Sequence, residues 1–364
     1  FSPEVSAAAE KAGRQGMAEP GVERVDRTDL RVFTIDPADA KDHDDALSVV
    51  SLGEGRFEVG VHIADVSHFV HESDPVDVEA FSRGTSVYLV DRTIPMLPAI
   101  LSADACSLRV GVERFTLSLF LQLDGMGKVH GHRYERACIR SRHQLSYEQV
   151  QGVLDGSARI GEGIDKALNT LDDLARGLRK TRTDRGALDL DVPEAKVVLD
   201  DSGHPVDIQR SPRLESHRLV EDFMILANEV VAGDMETRQL RAVYRIHEPP
   251  TRESTEGLRK LLSRVGHGLP KRRSLKPRDL QRLLDQVRGR PEGALISRVV
   301  LRSLSKARYD TRNLSHFGLA SPAYLHFTSP IRRYPDLMVH REVIRSLILE
   351  EENTRPDLET LQSI

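Results

Sequence analysis

Through the first part of the chain apolar residues alternate with polar ones, and further on they recur every three or four positions. Within Phe57 to Val66, Val59, Val61 and Ile63 alternate, and Phe115, Leu117, Leu119, Leu121 and Leu123 share one face of a second run. Period-two alternation of this kind predicts half-buried strands. Asp124-Gly125 predicts a turn, after which Lys128 to Ser141 returns. Val32 to Ile35 and Ala46 to Val50 read as two shorter strands. Near residue 164 the period changes: Leu168, Leu171, Leu174 and Leu178 have helical spacing. A hairpin is expected next, Ala195 to Leu199 and Pro205 to Gln209 about a turn at Asp201-Ser202-Gly203. Leu219, Phe223, Leu226, Ala227 and Val230 predict a strong helix, followed by helices near 255–265, 278–288 and 292–308. A last helix starts beside Pro335, a normal residue for a first turn. Residues 1–28 read as a linker or leading helix with Pro20-Gly21 as a breaker, and 266–278 as a mobile loop. A strand-rich first part against a helix-rich second part is an α+β domain.

Composition narrows the class. Of 364 residues, 39% are hydrophobic and 30% charged, as in a soluble globular protein. No apolar run is long enough to predict a membrane span. The two cysteines, Cys106 and Cys138, make no disulfide framework and suit a reducing cytoplasm. A net charge of −4 argues against a generic basic nucleic-acid coat but leaves room for a local basic channel. Two basic runs stand out: Arg176, Arg179, Lys180, Arg182 and Arg185, then Lys271, Arg272, Arg273, Lys276 and Arg278. Each is either a solvated face or a track for phosphates.

The chemistry concentrates in two segments. Asp36, Asp42, Asp44 and Asp45 form D-x5-D-x-D-D, with Asp39 and His43 inside it, on the loop joining the two short strands. At about 4 Å and an effective dielectric of about 20, each like-charge pair costs roughly 4 kcal/mol. Cations or full solvation must offset that cost. Hard oxygen ligands without cysteine suit magnesium or manganese, and a pair of such ions drives phosphoryl hydrolysis. A calcium-type structural site and a solvated acidic turn remain open, although the Gly and Glu spacing of an EF-hand is missing. Neighbouring strand residues point to opposite faces, so Asp44 and Asp45 share a site only where the backbone is irregular, or where each serves a different role, one holding a metal and the other positioning the attacking water. The second segment is His326-Phe327-Thr328-Ser329-Pro330-Ile331-Arg332-Arg333-Tyr334-Pro335-Asp336-Leu337. Two arginines before a helix start suit a phosphate clamp, because guanidinium forks and backbone N–H groups both face oxygen. A plain surface pair is the alternative.

These two segments resemble the signatures of the RNase II/RNase R family, whose catalytic part is the RNB domain. GVHIADVSHFV (60–70), GTSVYLVDRTIPMLP (84–98), VEDFMILAN (220–228), YRIHEPP (244–250) and HFGLASPAYLHF (316–327) agree in the same order. The resemblance spans roughly residues 29–349. It implies mixed or antiparallel sheets packed with surrounding helices, and processive 3′→5′ hydrolysis of single-stranded RNA to nucleoside 5′-monophosphates. It implies metal ligation by Asp36, Asp42, Asp44 and Asp45, for two Mg ions with Mn as an alternative, and catalysis by Asp44 and Arg332. It implies RNA contacts by Tyr88, Glu221, His326, Ser329 and Arg333. Leu190 stands where the family often has a Phe opposite the tyrosine, and no counterpart is found for a Glu some way after the arginine segment. The expected layout is a leading segment, 1–28, and an RNB catalytic domain, 29–364, cut short at its C-terminal end and lacking the OB-fold domains that flank it in full-length members. The expected partner is the single-stranded 3′ end of RNA, in the cytoplasm, with no membrane and no protein partner deducible. A catalytically silent RNA-binding regulator on the same fold is the rival in another class, and a different metal nuclease is the rival within enzymes. His62-x2-Asp65-x2-His68 has ligand-like spacing but reads as structural hydrogen bonding. His43-Asp44 lacks the upstream histidines of an HD-type phosphohydrolase.

Overall fold

The alternating runs pair into one mixed sheet whose last long strand returns to close it. The structure is a computed structural model that describes residues 1–15, 23–190, 194–200, 202–272 and 274–349. Helix α1 (Pro3–Gln15) is followed by β1 (Val25–Asp26), β2 (Val32–Asp36), β3 (Asp45–Gly53) and β4 (Arg56–Ala64). Helix α2 (Pro75–Arg83), the small hairpin β5 (Val87–Tyr88) and β6 (Thr93–Ile94), and the long strands β7 (Glu113–Asp124) and β8 (Val129–Ser146) come next. The strand order is β1-β8-β2-β3-β4-β7, and β7 also pairs with β8. One stretch of β8 runs antiparallel to β7 and its end runs parallel to β2. The described strands β2, β3, β4, β7 and β8 therefore form a closed circuit.

The rest is helical. Helices α3 (Tyr147–Leu154) and α4 (Glu162–Arg185) lead to the hairpin β9 (Glu194–Leu199) and β10 (Pro205–Ser211), then α5 (Glu215–Thr237) and β11 (Tyr244–Ile246). Helices α6 (Arg252–Arg264), α7 (Pro277–Val287) and α8 (Gly293–Ser303), strand β12 (Arg308–Asp310) and helix α9 (Tyr334–Val343) complete the described order. The period-two residues face the period-3.6 residues. Val59, Val61, Ile63, Leu117, Leu119 and Leu121 bury against Leu168, Leu171, Leu219 and Phe223. At about 25 cal/mol per Å² of apolar surface, this burial supplies the dominant favourable contribution to folding. A second core gathers Val5, Ala9, Val32, Ala46, Ala137 and Leu337. A third joins α6, α7 and α8 through Leu258, Leu262, Leu280, Leu283 and Ile296.

The structure bears out some of these expectations and corrects others. Within residues 1–28 a helix covers Pro3–Gln15, and its Val5 and Ala9 are buried in the second core. The sheet starts ahead of residue 29, because β1 pairs with Ala137 and Cys138, and Arg24 ion-pairs with the fully buried Asp65 at 2.8 Å. Pro20-Gly21 and Asp201 lie outside the described residues, as do Arg273 and residues 350–364. Strand β4 stops at Ala64, where Asp65 opens a short 3-10 turn over Val66–His68. His62, Asp65 and His68 consequently go to different partners. His62 bonds the hydroxyls of Ser48 and Ser118 at 2.9 and 2.8 Å. His68 packs edge-on against Phe69 and Phe115. Gly60 makes room for this arrangement: a Cβ there would sit 2.5 Å from His62 Nε2. Helix α8 ends at Ser303, and the segment expected to extend it continues toward β12. The loop before α7 is tied down where Arg259 donates to the carbonyls of Pro270 and Arg272, at 2.8 and 2.7 Å. Both cysteines are free thiols.

Candidate active site

The acidic loop turns back between β2 and β3, which pair antiparallel with Phe33 opposite Leu47. That pairing brings the two ends of the loop side by side. The Cys106–Leu108 segment pins its middle: His43 N–H donates to Ser107 Oγ at 3.1 Å, and Leu108 N–H to the His43 carbonyl at 3.0 Å. Asp36 pairs with His43 Nδ1 at 2.8 Å. Asp42 accepts from the Tyr88 hydroxyl at 2.7 Å. Asp44 Oδ1 accepts the Ile331 N–H at 2.8 Å. Asp44 lies just before the ladder begins, so it and Asp45 line the same cavity although they are neighbours in sequence.

The opposite wall is the turn before α9. Asp336, with no exposed surface, accepts from Ser329 N–H at 2.8 Å and from Arg333 Nε and Nη2 at 2.8 and 2.6 Å. Arg332 is left to face the carboxylates. Its Nη2 donates to Ser329 Oγ at 2.9 Å, and its Nε stands 3.4 Å from Asp44 Oδ2. Thr85 Oγ and Ser86 N–H both donate to the Arg332 carbonyl at 2.9 Å, which ties this turn to the hairpin carrying Tyr88. From the helical side, Asn228 of α5 donates to the Tyr324 hydroxyl at 3.0 Å and accepts the Phe327 N–H at 2.8 Å.

These walls enclose a cavity of about 800 Å³. Asp36, Asp42, Asp44, Asp45, Tyr88, Glu221, Ser329, Arg332 and Arg333 all line it. His326 does not. It sits behind the wall, its Nδ1 2.7 Å from the Tyr309 hydroxyl, with Tyr309 and Tyr324 edge-on to its ring. Burial and the nearby Arg333 charge push its imidazole down to about 3, so it is neutral at ordinary pH. Glu221 is held by Arg213 at 2.5 Å. Leu190 packs against the third core. Sequence reasoning missed Tyr147, which lines the cavity and stacks on His217 with ring centroids 4.0 Å apart. It also missed the clasp made by Asn228. A lone Tyr at a strand–helix junction carries no sequence signal.

The electrostatics favour a cation. Burial pushes the Asp44 carboxyl well above its usual range, against the pull of Arg332. Asp45 is raised to about 7, first by burial and then by the charge of Asp36. Asp44 Oδ2 is buried and has no hydrogen-bond partner. A buried carboxylate oxygen that accepts no hydrogen bond, beside two mutually repelling carboxylates, fits a hard divalent ion, and Asp36, Asp42, Asp44 and Asp45 are the residues that could hold one. Among the described residues no three such groups are already drawn together as a ligand set. Asp36, Asp42 and Asp44 are each partly engaged by a protein donor.

The RNB domain model matches residues 24–348. This chain belongs to the RNB domain family. Ribonuclease R of Thermotoga maritima is 44% identical over 333 residues, which is 90% of this chain and 47% of that protein. The chain thus spans about half the length of that relative. The structure of Mycoplasma genitalium RNase R in complex with ribose methylated single-stranded RNA superposes with a TM-score of 0.91 at 28% identity, over 98% of this chain and 57% of that one. Yeast Ssd1, described as a pseudonuclease, shares the RNB fold with a TM-score of 0.78 at 23% identity, over 93% of this chain and 42% of that one. The family match begins at Arg24, the residue that anchors the start of the sheet to Asp65. Among the described residues no helix is long and apolar enough to cross a membrane.

Proposed function

We propose that this chain carries the hydrolytic centre of a 3′→5′ exoribonuclease that degrades single-stranded RNA processively to nucleoside 5′-monophosphates. The observation that carries the reading is the cavity in which four aspartates from one loop face Arg332 from a turn nearly three hundred residues later. Two bound magnesium ions, or manganese in their place, would supply a polarised phosphate and an activated water. Asp36, Asp42, Asp44 and Asp45 would hold those ions. Arg332 is placed to neutralise charge developing on the scissile phosphate, a role for which a fixed guanidinium fork is suited. Ser329 orients that fork through its hydroxyl. Tyr88 offers a half-exposed ring at the cavity mouth, where a terminal base would stack at about 1–3 kcal/mol. Glu221, fixed by Arg213, is placed to accept a ribose 2′-hydroxyl, a contact that distinguishes RNA from DNA. Arg333 acts from within the wall through Asp336, and His326 through Tyr309. The free thiols fit a cytoplasmic protein.

The test is Asp44→Asn. The amide oxygen still accepts the Ile331 N–H, so the turn stays in place while the charge is lost. RNA binding should persist and cleavage should collapse. With end-labelled RNA, mononucleotides should appear first from the 3′ end, only with Mg or Mn, and chelator should stop them. Wild-type degradation by Asp44→Asn would refute the site assignment. Internal fragments would refute the exonucleolytic mode. A silent RNA-binding role finds less support, because a non-enzyme has no use for the repulsion among these carboxylates.

A further inference from the structure

The two basic runs stay outside the catalytic cavity, yet the fold brings them together. The end of α4 meets the start of α7, where Arg278 donates to the Asp184 carbonyl. Glycine permits the approach. Gly186 ends α4 at φ +109°, and a Cβ there would lie 2.8 Å from the Arg278 backbone nitrogen. Beside this junction, closed by the 315–322 loop, is a cleft of about 580 Å³. That is within the roughly 300–1,000 Å³ of small-ligand pockets.

The lining is suited to a nucleotide. Lys276 and Arg278 supply positive charge, with Arg185 beside them held by Glu229, while the exposed ring of Pro322 offers flat apolar surface over the buried Phe317. The one acidic group in the lining, Asp184, is already paired with Lys180 at 2.9 Å. Lys276 is exposed and has no ion pair among the described residues. His316, also in the lining, stands edge-on to Tyr324 with centroids 5.3 Å apart, and Tyr324 lines the catalytic cavity. An occupant of the cleft would thus sit two aromatic rings, His316 and Tyr324, from the proposed reaction centre.

We propose that this cleft binds a nucleoside monophosphate, with its phosphate on Lys276 and Arg278 and its base against Pro322; the choice of nucleotide rests on the proposed activity. A phosphate oxygen accepts from ammonium and guanidinium donors alike, and a base packs on proline as on an aromatic ring. The ligand is the product of the neighbouring cavity, so the cleft would fill as RNA is consumed.

Calorimetric titration with uridine 5′-monophosphate, without divalent ions, tests the idea in four proteins: wild type, Lys276→Glu/Arg278→Gln, Pro322→Glu and Arg332→Ala. Both cleft variants should bind at least tenfold more weakly, and Arg332→Ala should bind like wild type. Circular dichroism checks that each variant is folded. Equal affinity in wild type and both cleft variants would overturn the proposal. So would loss of binding in Arg332→Ala alone, which would place the nucleotide in the catalytic cavity. Inorganic phosphate binding as tightly as the nucleotide would reduce the cleft to an anion patch and overturn nucleotide recognition. A 12-nucleotide RNA that weakens in the cleft variants, while the mononucleotide does not, would make the cleft a strand path instead. No turnover enters this measurement, so a failure of the exonuclease reading shows separately, as absent RNA degradation by wild type.

Discussion

Asp336→Asn tests how the turn that presents Arg332 is held. The carboxylate has no exposed surface and accepts three bonds, one from Ser329 N–H and two from Arg333. Its partner keeps 19% of its side chain exposed. Removing one member of a fully buried pair costs about 3–5 kcal/mol, because the other charge is left without compensation. Partial access of water to Arg333 offsets some of that, and the Asn oxygen can still accept from Ser329, so about 3 kcal/mol is expected. Urea unfolding measures it directly. A second reading comes from turnover: Ile331 and Arg332 lie on the same turn, and their geometry toward Asp44 depends on it. Turnover should fall at least about tenfold while strand affinity changes less, since misplacement of a reacting group acts on the rate. Adding Arg333→Gln removes the stranded charge, so the double variant should be less destabilised than the sum of the two single ones. Unfolding within about 0.5 kcal/mol of wild type, together with unchanged turnover, would refute the reasoning.

His62 is buried and held down to about 3 by desolvation, against an ordinary value near 6.5. The unfolded chain takes up the proton first, so stability falls as pH drops from about 6.5 toward 3, and His62→Gln should remove up to about 1.4 kcal/mol per pH unit from that slope in unfolding curves at pH 6, 5 and 4. Asn228→Ala strands the Tyr324 hydroxyl and the Phe327 N–H; a loss of about 2–4 kcal/mol is expected by urea denaturation, and a smaller one for Asn228→Asp, which keeps an acceptor for Phe327. Gly186→Ala meets both a strained φ and the Arg278 backbone, so it should lower stability by about 1–3 kcal/mol and shift the amide resonances of the first turn of α7.

The elements most legible in sequence were those whose apolar period is long and regular. Leu117 to Leu123 and Leu168 to Leu178 announce a strand and a helix because burial of one face sets their spacing. The closure of the sheet was not legible, because β8 exposes or half-buries most of its residues and carries little apolar alternation. The hairpin holding Tyr88 is only four paired residues with exposed apolar side chains, which no periodicity marks. The carboxylates were legible as a cluster because their repulsion is a local property of the chain. Their engagements with Tyr88, Ile331 and Arg332 were not, since each joins segments far apart in sequence. His326 shows the limit from the other side: its place in a recognisable motif pointed to the cavity, and its own packing between two tyrosines put it behind the wall.

The bond between Asp44 and the Ile331 amide has a consequence for a chain emerging from the ribosome. The acidic segment is translated well before the turn that completes the pocket, which lies nearly three hundred residues further along the chain. A nascent or truncated molecule lacking them presents loose aspartates with no opposing guanidinium. Whatever reaction the finished pocket performs is thereby withheld from half-made copies, a safeguard of practical value if the messenger being read is itself the kind of polymer the mature protein consumes.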